Sequence, residues 1–461
     1  MFLLPLDPLM AASIGELSDT TWTEQALRFL SLRDPAVRLA VLGSLLLGLS
    51  CGLLGSFLVV RRLALVGDML SHAVLPGVIL GFLWHMTKDT KAILIGAVTV
   101  GLLSTVVMST IRETTRLKED SALAMVLAGF YGLGVFLYSI LQNHPSGDKS
   151  GLDKFMFGQA AALSTADVQV IAVITALALV LILVFYPHFL AMSFDSAFAS
   201  TLGIPTRAMH YLTMLLLSFT VVAALQAVGV VLVSALLIIP AATAYLLSDR
   251  MHSLLIYAAL FGVLASLSGA FLSFLSNGLP TGPFMVLSAG ALFVMVLVFA
   301  PRRGWLPKYL KRLHHTQRIQ MENTLKAVFH IREQSQFTQE GIPLSAVAQR
   351  SNQSVATAER QARRLAKNGM ATLYPSKPNK QTLTGEILLH LTPSGWQRAQ
   401  EVIRNHRLWE LYLTDTAEYP ADHVHDDAEV IEHILGDDVV NRLKKQLNYP
   451  EYDPHGKRIP E

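Results

Sequence analysis

Cysteine is almost absent from this 461-residue sequence. The single thiol, Cys51, lies in an apolar run, so an internal disulfide framework and a cysteine-rich zinc or iron–sulfur site are excluded. The G-x-x-x-x-G-K-[ST] pattern is also missing, so the chain has no P-loop of its own for ATP. We therefore predict that it is not an enzyme and that any ATP hydrolysis takes place in a separate subunit. Residues 1–12 lack the basic segment of a signal peptide, and we interpret 1–36 as a lead-in.

Charged residues are scarce in the middle of the chain and common in its C-terminal third. Residues 121–300 contain 9 Asp, Glu, Lys or Arg, whereas the shorter segment 301–461 contains 42. The low density is typical of helices that contact lipid, and the high density is that of ordinary soluble protein. We therefore predict a membrane domain over 37–300 and a soluble region after it.

Apolar runs of about 20 residues, the length needed to cross a bilayer, predict eight or nine transmembrane helices. The predicted spans are 38–60, 63–85, 91–111, 121–141, 167–187, 211–228, 229–247, 253–275 and 283–300. The sixth and seventh form one continuous apolar stretch, which we predict to fold as a tight hairpin near Gly229. Lys and Arg of the short loops all fall on one side, so the positive-inside rule predicts a cytoplasmic C-terminal region.

An ionisable pair interrupts the second predicted span. Asp68 and His72 are four residues apart, so a helix places both side chains on one face. Ionisable residues inside a membrane are costly and are functional candidates; this pair could hold a divalent cation. Pro76 and Gly77 would break or kink the helix and expose backbone carbonyls nearby. The alternative is an Asp–His hydrogen bond that pins two helices together.

Four separated motifs of the membrane half resemble the permease subunits of manganese, zinc and iron ABC transporters. They are Arg62–Gly77, Ser193–Pro205, Val228–Ala244 and Gly278–Pro283. The resemblance implies a second permease subunit, an external metal-binding lipoprotein and cytoplasmic ATPase subunits. It also implies that Asp68 and His72 contact the transported metal, and that the ATPase contacts the loop at Asp195, Ala199 and Gly203. From the residues alone, this stretch predicts a short helix ended by Gly203 that could dock onto a partner, but an ordinary connection between helices is the favoured interpretation.

The C-terminal region begins with a basic linker, 301–318, which is followed by a pattern typical of a winged helix–turn–helix domain over 319–393. An amphipathic helix at 319–333 precedes two helices separated by Ser351–Ser354. Two short strands then enclose a basic wing at 375–380. We expect DNA contacts from Gln353, Ser354, Thr357, Arg360, Arg363, Arg364 and Lys367. A solvated charged helix is the alternative, but 16 Lys and Arg against 5 Asp and Glu over 301–400 favour DNA.

The last segment, 394–461, carries histidines and carboxylates at helical spacing. The candidate ligands of a sensor metal are His406, Glu410, His425, Glu429, Glu432 and His433. Nitrogen and oxygen ligands without cysteine suit manganese or ferrous iron, with zinc possible. A charged, solvated helix face is the alternative.

This half resembles the diphtheria-toxin-repressor type of metal-dependent regulators. The matching motifs are Leu391–Gly395, Arg404–Glu410, His425–His433 and Asp453–Pro460. The resemblance implies winged-helix DNA binding, dimerisation through the acidic helices and metal as corepressor. One metal site would use His406, Glu410 and His425, and the other Glu429, Glu432, His433 and a first-helix residue.

The resemblance has one departure, which lies in the first helix of the regulator. Manganese sensors carry Asp where this chain has Asn323, and Glu where it has Lys326. The second metal site is therefore in doubt. Glu429, in contrast, stands where iron sensors usually carry cysteine, which argues for manganese or iron over a softer metal.

The sequence as a whole predicts an all-α polytopic membrane domain followed by a winged-helix domain and a helical metal-binding and dimerisation domain. The corresponding function is a divalent-metal permease of the bacterial inner membrane fused to its own repressor, which binds operator DNA as a dimer. We also expect cleavage in the basic linker to release the repressor. Two alternatives stay open: a cytoplasmic metal sensor that gates transport without binding DNA, and a secondary metal transporter.

Overall fold

The structure, a computed structural model, describes residues 22–85, 90–143, 163–275, 279–375, 386–415 and 437–460. The chain divides into two compact units, Met1–Lys308 and Tyr309–Glu461. The described part of the first unit is helical. Its helices are α1 (Trp22–Ser31), α2 (Pro35–Val60), α3 (Ala64–Ala73), α4 (Leu75–His85), α5 (Thr90–Thr114), α6 (Glu119–Asn143), α7 (Thr165–Val184), α8 (Tyr186–Phe194), α9 (Ser196–Thr201), α10 (Thr206–Val228), α11 (Val230–Leu247), α12 (Met251–Phe274) and α13 (Thr281–Phe299).

Eight helical stretches among the described residues are long and apolar enough to cross a membrane. The stretch Ala64–Trp84 combines α3 and α4, and α11 is a shorter apolar helix. The predicted polytopic, all-helical membrane domain is therefore confirmed, and the chain is a multi-pass membrane protein. Packing in this unit requires close backbone approach: a Cβ on Gly48 of α2 would lie 2.3 Å from the carbonyl oxygen of Gly262 in α12. Small residues allow such contact between membrane helices.

The long apolar stretch around Gly229 is divided where expected, but it is not a hairpin. Gly229, at φ +90°, is the only residue between α10 and α11. Glycine tolerates this left-handed backbone because it has no Cβ. Each helix then packs mainly against the rest of the bundle: α10 contacts chiefly α2, α5 and α7, whereas α11 contacts chiefly α2, α3, α12 and α13. The hairpin prediction is wrong because each helix buries more surface against the bundle than against the other.

The second unit is a small α/β assembly followed by helices. Its elements, the first of which starts shortly before the unit boundary, are α14 (Trp305–Gln334), β1 (Ile342–Pro343), α15 (Leu344–Arg350), α16 (Val355–Lys367), β2 (Ala371–Pro375), β3 (Ile387–Leu391), α17 (Pro393–Asp415) and α18 (Asp437–Gln446). Residues 305–318, predicted as a linker, are helical. The Leu, Lys, Arg and Gln residues of this stretch favour a helix, and Pro307 lies in the first turn, where its missing N–H costs nothing.

The strands form a three-stranded antiparallel sheet in the order β1–β3–β2, and the helix pair α15–α16 lies between β1 and β2 in the chain. Leu389 of β3 lies between Ile342 of β1 and Leu373 of β2. The core beneath the sheet is apolar and includes Phe329, whose ring stacks on Trp396 with centroids 5.1 Å apart. This arrangement is the winged helix that the sequence predicted, although wing residues 376–380 lie outside the described part.

Candidate metal and partner sites

The Asp68–His72 pair lies on one face of α3, as its spacing predicted. Asp68 Oδ1 and His72 Nε2 are 3.7 Å apart, which is too long for a hydrogen bond. The ring of His72 meets Tyr131 of α6 edge-on, with centroids 5.0 Å apart. His72 Nδ1 is buried and has no hydrogen-bond partner. A buried polar atom normally has a partner, and the 3.7 Å separation argues against a direct Asp–His hydrogen bond. The cation site at this pair stays a prediction.

The helix is interrupted directly after His72. Helix α3 ends at Ala73 and α4 begins at Leu75, with Val74 between them. Pro76 has no N–H, so the carbonyl oxygen of His72 cannot receive the usual bond from the residue four positions ahead. The side chains of Asp68 and His72 are the two donors that the structure brings together here. Among the described residues, no third His, Cys, Asp or Glu joins the pair.

The short helix α9 is built by a strong N-cap and a left-handed end. Asp195 Oδ1 accepts hydrogen bonds from the backbone N–H groups of Ala197 and Phe198 at 2.9 and 3.0 Å. Gly203 ends the segment at φ +79°, a conformation that favours glycine. Ala199 is fully buried. Asp195 and Gly203 thus define the two ends of the helix. Ala199 and Gly203 offer no large exposed side chain to a partner.

An apolar ridge on this segment escaped the sequence reasoning. Phe194, Phe198 and Leu202 are spaced four residues apart and are 68%, 58% and 60% exposed. The i, i+4, i+8 spacing was visible in the sequence, but it also fits a buried face. Only the structure shows that these side chains point outward. The three side chains lie at the end of α8, within α9 and directly after it. Exposed apolar groups of this kind are candidates for an interaction surface, so we treat them as a candidate docking site.

The described part of the sensor site lies on α17. His406 Nε2 and Glu410 Oε1 are 2.9 Å apart, and both side chains are buried. Lys326 of α14 places its Nζ 3.2 Å from His406 Nδ1. An ammonium group can only donate, so His406 accepts at Nδ1 and carries its proton at Nε2, facing Glu410. His425, Glu429, Glu432 and His433 lie outside the described residues.

Positive charge surrounds this pair. A cavity of about 440 Å³ is lined by His406, Glu410, Lys326, Asn323, His330, Arg350 and Arg407, among others. Burial, together with the nearby Lys326, Arg350 and Arg407, lowers the pKa of His330 to about 4. The imidazole and carboxylate of the α17 pair suit manganese or ferrous iron. The Lys326 ammonium group disfavours a metal ion at this position, because it presents a positive charge to the same imidazole.

The expected DNA-facing helix, α16, shows a basic outer surface. Arg360, Arg363, Arg364 and Lys367 are exposed, although Arg363 pairs with Glu359 at 2.6 Å. Ser354 caps the helix by accepting the N–H of Thr357 at 3.3 Å.

Gln353 differs from this basic set because its amide is used inside the domain. Its Nε2 donates to Ser351 Oγ at 2.6 Å and to Gln361 Oε1 at 3.1 Å. The nearby Val355 is exposed and offers a methyl surface at the start of the helix. The sequence reasoning did not single it out.

Comparison with known proteins decides the family. Residues 33–300, more than half of the chain, match the ABC 3 transport family. The chain belongs to this family. Residues 392–461 match a second family, the metal-binding and dimerisation domain of iron-dependent repressors. The predicted combination of a metal-transport permease with a C-terminal repressor domain is confirmed.

Two relatives and one solved structure show how far the similarity extends. The manganese transport system membrane protein MntC of Bacillus subtilis is 40% identical over 301 residues, which are 65% of this chain and 69% of that protein. A probable metal transport system membrane protein of Chlamydia trachomatis is 29% identical over 436 residues, 90% of this chain and 94% of that protein. PsaBC from Streptococcus pneumoniae, solved in complex with Fab, is 32% identical with a TM-score of 0.55 and covers 62% of this chain and 98% of the matched chain.

Arg407 is a structural residue of the repressor domain in this ABC 3 family member. It was not identified from the sequence alone, although it lies in the motif Arg404–Glu410. Arg407 is buried beside His406, and its Nη2 donates to both carboxylate oxygens of Glu333 at 2.8 and 2.7 Å. Its Nε lies 3.4 Å from Asp453 Oδ2, and its Nη1 donates to the carbonyl of Arg458. Arg407 thus ties α14 and the 453–458 loop to α17. No local pattern identifies this role, because the three partners are far apart in the sequence.

Proposed function

We propose that this chain is the permease subunit of an ATP-driven importer of a divalent metal and carries its own metal-dependent repressor. The observation that carries the transport half is the Asp68–His72 pair, with a 3.7 Å separation and a buried His72 Nδ1 that has no partner. Membership in the ABC 3 transport family supports ATP-driven over secondary transport. Manganese or ferrous iron is the favoured cargo, with zinc as a third candidate, and manganese is the metal named for the Bacillus relative.

The transported ion would meet Asp68 first. Its side chain is 41% exposed, whereas that of His72 is 19% exposed. A carboxylate that faces lipid within a span is costly, so Asp68 is expected to face a water-filled path or a second permease subunit. An external metal-binding lipoprotein would deliver the ion, and His72 would replace part of the hydration shell.

ATP hydrolysis would be coupled through the α9 segment. The Phe194, Phe198 and Leu202 ridge supplies apolar contact area, and the Asp195 cap and Gly203 end hold the helix in shape. A cytoplasmic ATPase subunit that grips this ridge could move α8 and α10 together, because α9 is joined to both by short connections. The ridge supports the proposed partner without identifying it.

The repressor half would bind operator DNA as a dimer when metal is bound. Arg360, Arg364 and Lys367 point outward from α16, where they can neutralise phosphates and release counterions. His406 and Glu410 would hold the metal together with His425 and the other predicted ligands. Cleavage within 301–318 would free the repressor from the membrane, since a tethered regulator reaches only DNA near the membrane.

A metal-sensing brake on transport is the second candidate. Two observations favour it: the Gln353 amide, expected to read bases, is used inside the domain, and Lys326 opposes metal beside His406. In this alternative, metal binding changes the regulatory unit and slows transport, and no operator is involved.

Transport is tested by uptake of radioactive manganese into cells that express the variants Asp68→Asn and His72→Ala. Both should lose uptake and keep wild-type membrane abundance. Asp120→Asn and His252→Ala are matched controls, since both residues are exposed and belong to the same unit. Uptake that survives substitution of both Asp68 and His72 would remove the transport assignment.

Repression is tested by titrating the full-length protein in detergent with manganese, ferrous iron and zinc, and by measuring binding to the DNA upstream of its own gene at fixed salt. Metal-dependent, sequence-specific binding is expected. Metal binding without DNA binding would select the brake. An immunoblot that shows only full-length protein at every metal concentration would contradict release.

A further inference from the structure

The first turns of α14 form a basic amphipathic segment, 305–318. At 100° per residue, Trp305, Tyr309, Leu313, Leu306 and Leu310 fall within one face of about 140°. The opposite face carries Lys308, Lys311, Arg312, His315 and Arg318. A helix with a strong apolar face and a basic polar face is the type that lies in the interface of a membrane.

The charge of this region is of one sign. Between Asp249 and Glu322 the chain has no acidic residue. Arg303 is already used, because it pairs with Asp249 and lies over the ring of Tyr245 at 5.0 Å. The basic residues of the segment have no such local carboxylate before Glu322, which binds Arg318 at 2.9 Å. Lys308, Lys311 and Arg312 therefore offer at least three charges to an external anion.

Much of the apolar face of the segment is exposed within the part of the chain that the structure describes. Leu310 and Leu313 are 46% and 39% exposed, and Trp305 and Tyr309 are exposed on the same face. Leaving this area in water is costly at about 25 cal/mol per Å². The segment starts six positions after Phe299, the last residue of α13, so the chain holds it close to the end of a membrane span.

We propose that 305–318 is an interfacial helix that binds the anionic phospholipids of the leaflet next to the end of α13. Its Leu310 and Leu313 face would enter the acyl boundary, and Lys308, Lys311 and Arg312 would contact headgroup phosphates. Charge complementarity and covalent continuity with α13 favour lipid over DNA, which offers nothing to the apolar face. The inference depends neither on transport nor on DNA binding. Lipid contact would also shield this stretch from proteolysis.

The test uses the full-length protein in lipid nanodiscs of phosphatidylcholine, with or without phosphatidylglycerol. A polarity-sensitive thiol probe is attached at Leu313→Cys, and His315→Cys is the matched control on the opposite face, two residues along the same helix. Cys51 is fully buried, and the unsubstituted protein measures any label that it takes. Brominated acyl chains quench only a probe that enters the bilayer.

The probe at 313 should be quenched at least about twofold more with phosphatidylglycerol than without it, and the probe at 315 should show little quenching in either lipid. Replacing Lys311 and Arg312 with Gln should lower the membrane-bound equilibrium constant by about fivefold per charge. Equal quenching at both positions, or quenching that ignores lipid charge, would overturn the proposal. Shielding of the 313 probe that requires added DNA, or a second protein copy in the same disc, would also overturn it.

Discussion

A lysine beside a predicted metal ligand is the most informative single residue of the regulatory unit. Lys326 Nζ lies 3.2 Å from His406 Nδ1, at the position where the regulators that this half resembles carry a carboxylate in manganese sensors. A fixed ammonium group repels a metal cation at this distance. The contact therefore bears on the predicted site of His406 and Glu410, where it gives a physical reason for weaker metal binding. The doubt about the second sensor metal stays a prediction, because Glu429, Glu432 and His433 lie outside the described residues.

Lys326→Glu should tighten manganese binding by about tenfold or more, because it replaces a repelling charge with a ligand. Isothermal titration of the full-length protein in detergent measures the change. Lys445→Glu makes the same charge change on an exposed residue of α18 and should leave the affinity near that of the parent. If both variants shift affinity equally, the effect is long-range electrostatics and not the His406 contact.

A buried histidine predicts acid sensitivity of the second unit. The pKa of His330 is lowered to about 4 by burial and by Lys326, Arg350 and Arg407, with Glu333 opposing. Between pH 6.5 and 4 the unfolded chain binds a proton at this residue that the folded chain does not. Stability is therefore complete above about pH 6.5 and falls as the pH drops, by about 3 kcal/mol at most.

Urea unfolding of residues 309–461 at pH 7 and pH 5 measures this loss. The segment contains its own apolar core, which justifies its separate use. His330→Gln should unfold with a smaller pH dependence than the parent. An unchanged dependence would assign the acid sensitivity to other groups.

At the scale of elements, the ridge on α8 and α9 predicts how an ATPase subunit is held. Phe198→Ala removes exposed apolar area at the centre of the ridge and should weaken ATPase binding by about tenfold or more, as for a central interface aromatic. The loss of binding is measured by co-purification with the ATPase subunit and by metal-stimulated ATP hydrolysis. Leu264→Ala removes a similarly exposed residue from α12 and should change neither.

The contact between α2 and α12 predicts a glycine requirement. A Cβ on Gly262 would lie 2.1 Å from the carbonyl oxygen of Gly48, whereas a Cβ on Gly290 would meet nothing within 4 Å. Gly262→Ala should therefore destabilise the membrane unit by about 1–3 kcal/mol, the usual cost of overpacking. Thermal unfolding in detergent should show a lowered midpoint for Gly262→Ala and an unchanged midpoint for Gly290→Ala.

At the scale of the whole molecule, the two proposed activities should be separable. Asp68→Asn should abolish uptake and preserve metal-dependent DNA binding, because Asp68 lies in the first unit and α16 lies in the second. Arg364→Gln with Lys367→Gln should preserve uptake, weaken DNA binding and reduce its salt dependence by about two charges. Arg442→Gln, on exposed α18, is the control. Loss of both activities in either variant would indicate that the two units are coupled.

The sequence was a good guide wherever the determining interaction is local. Helical spacing placed Asp68 with His72 and His406 with Glu410, and the structure confirms that each pair shares a helix face. It also located the break at Gly229 and the strands around the wing. It misjudged 305–318, because basic residues and a proline resemble a linker as much as the start of a helix.

The sequence by itself determined the membrane character, the composition step near Ala300, the absence of a P-loop and the two family resemblances, because composition and helical periodicity are properties of neighbouring residues. Only the tertiary structure decided that Gln353 turns inward, that Phe198 turns outward, that Arg407 joins three distant segments and that Lys326 meets His406 across 80 positions. These contacts depend on which helix faces pack against each other. Many ways of packing the helices are compatible with the same local sequence pattern. The packing that buries the most apolar surface over the whole molecule is the one that is adopted.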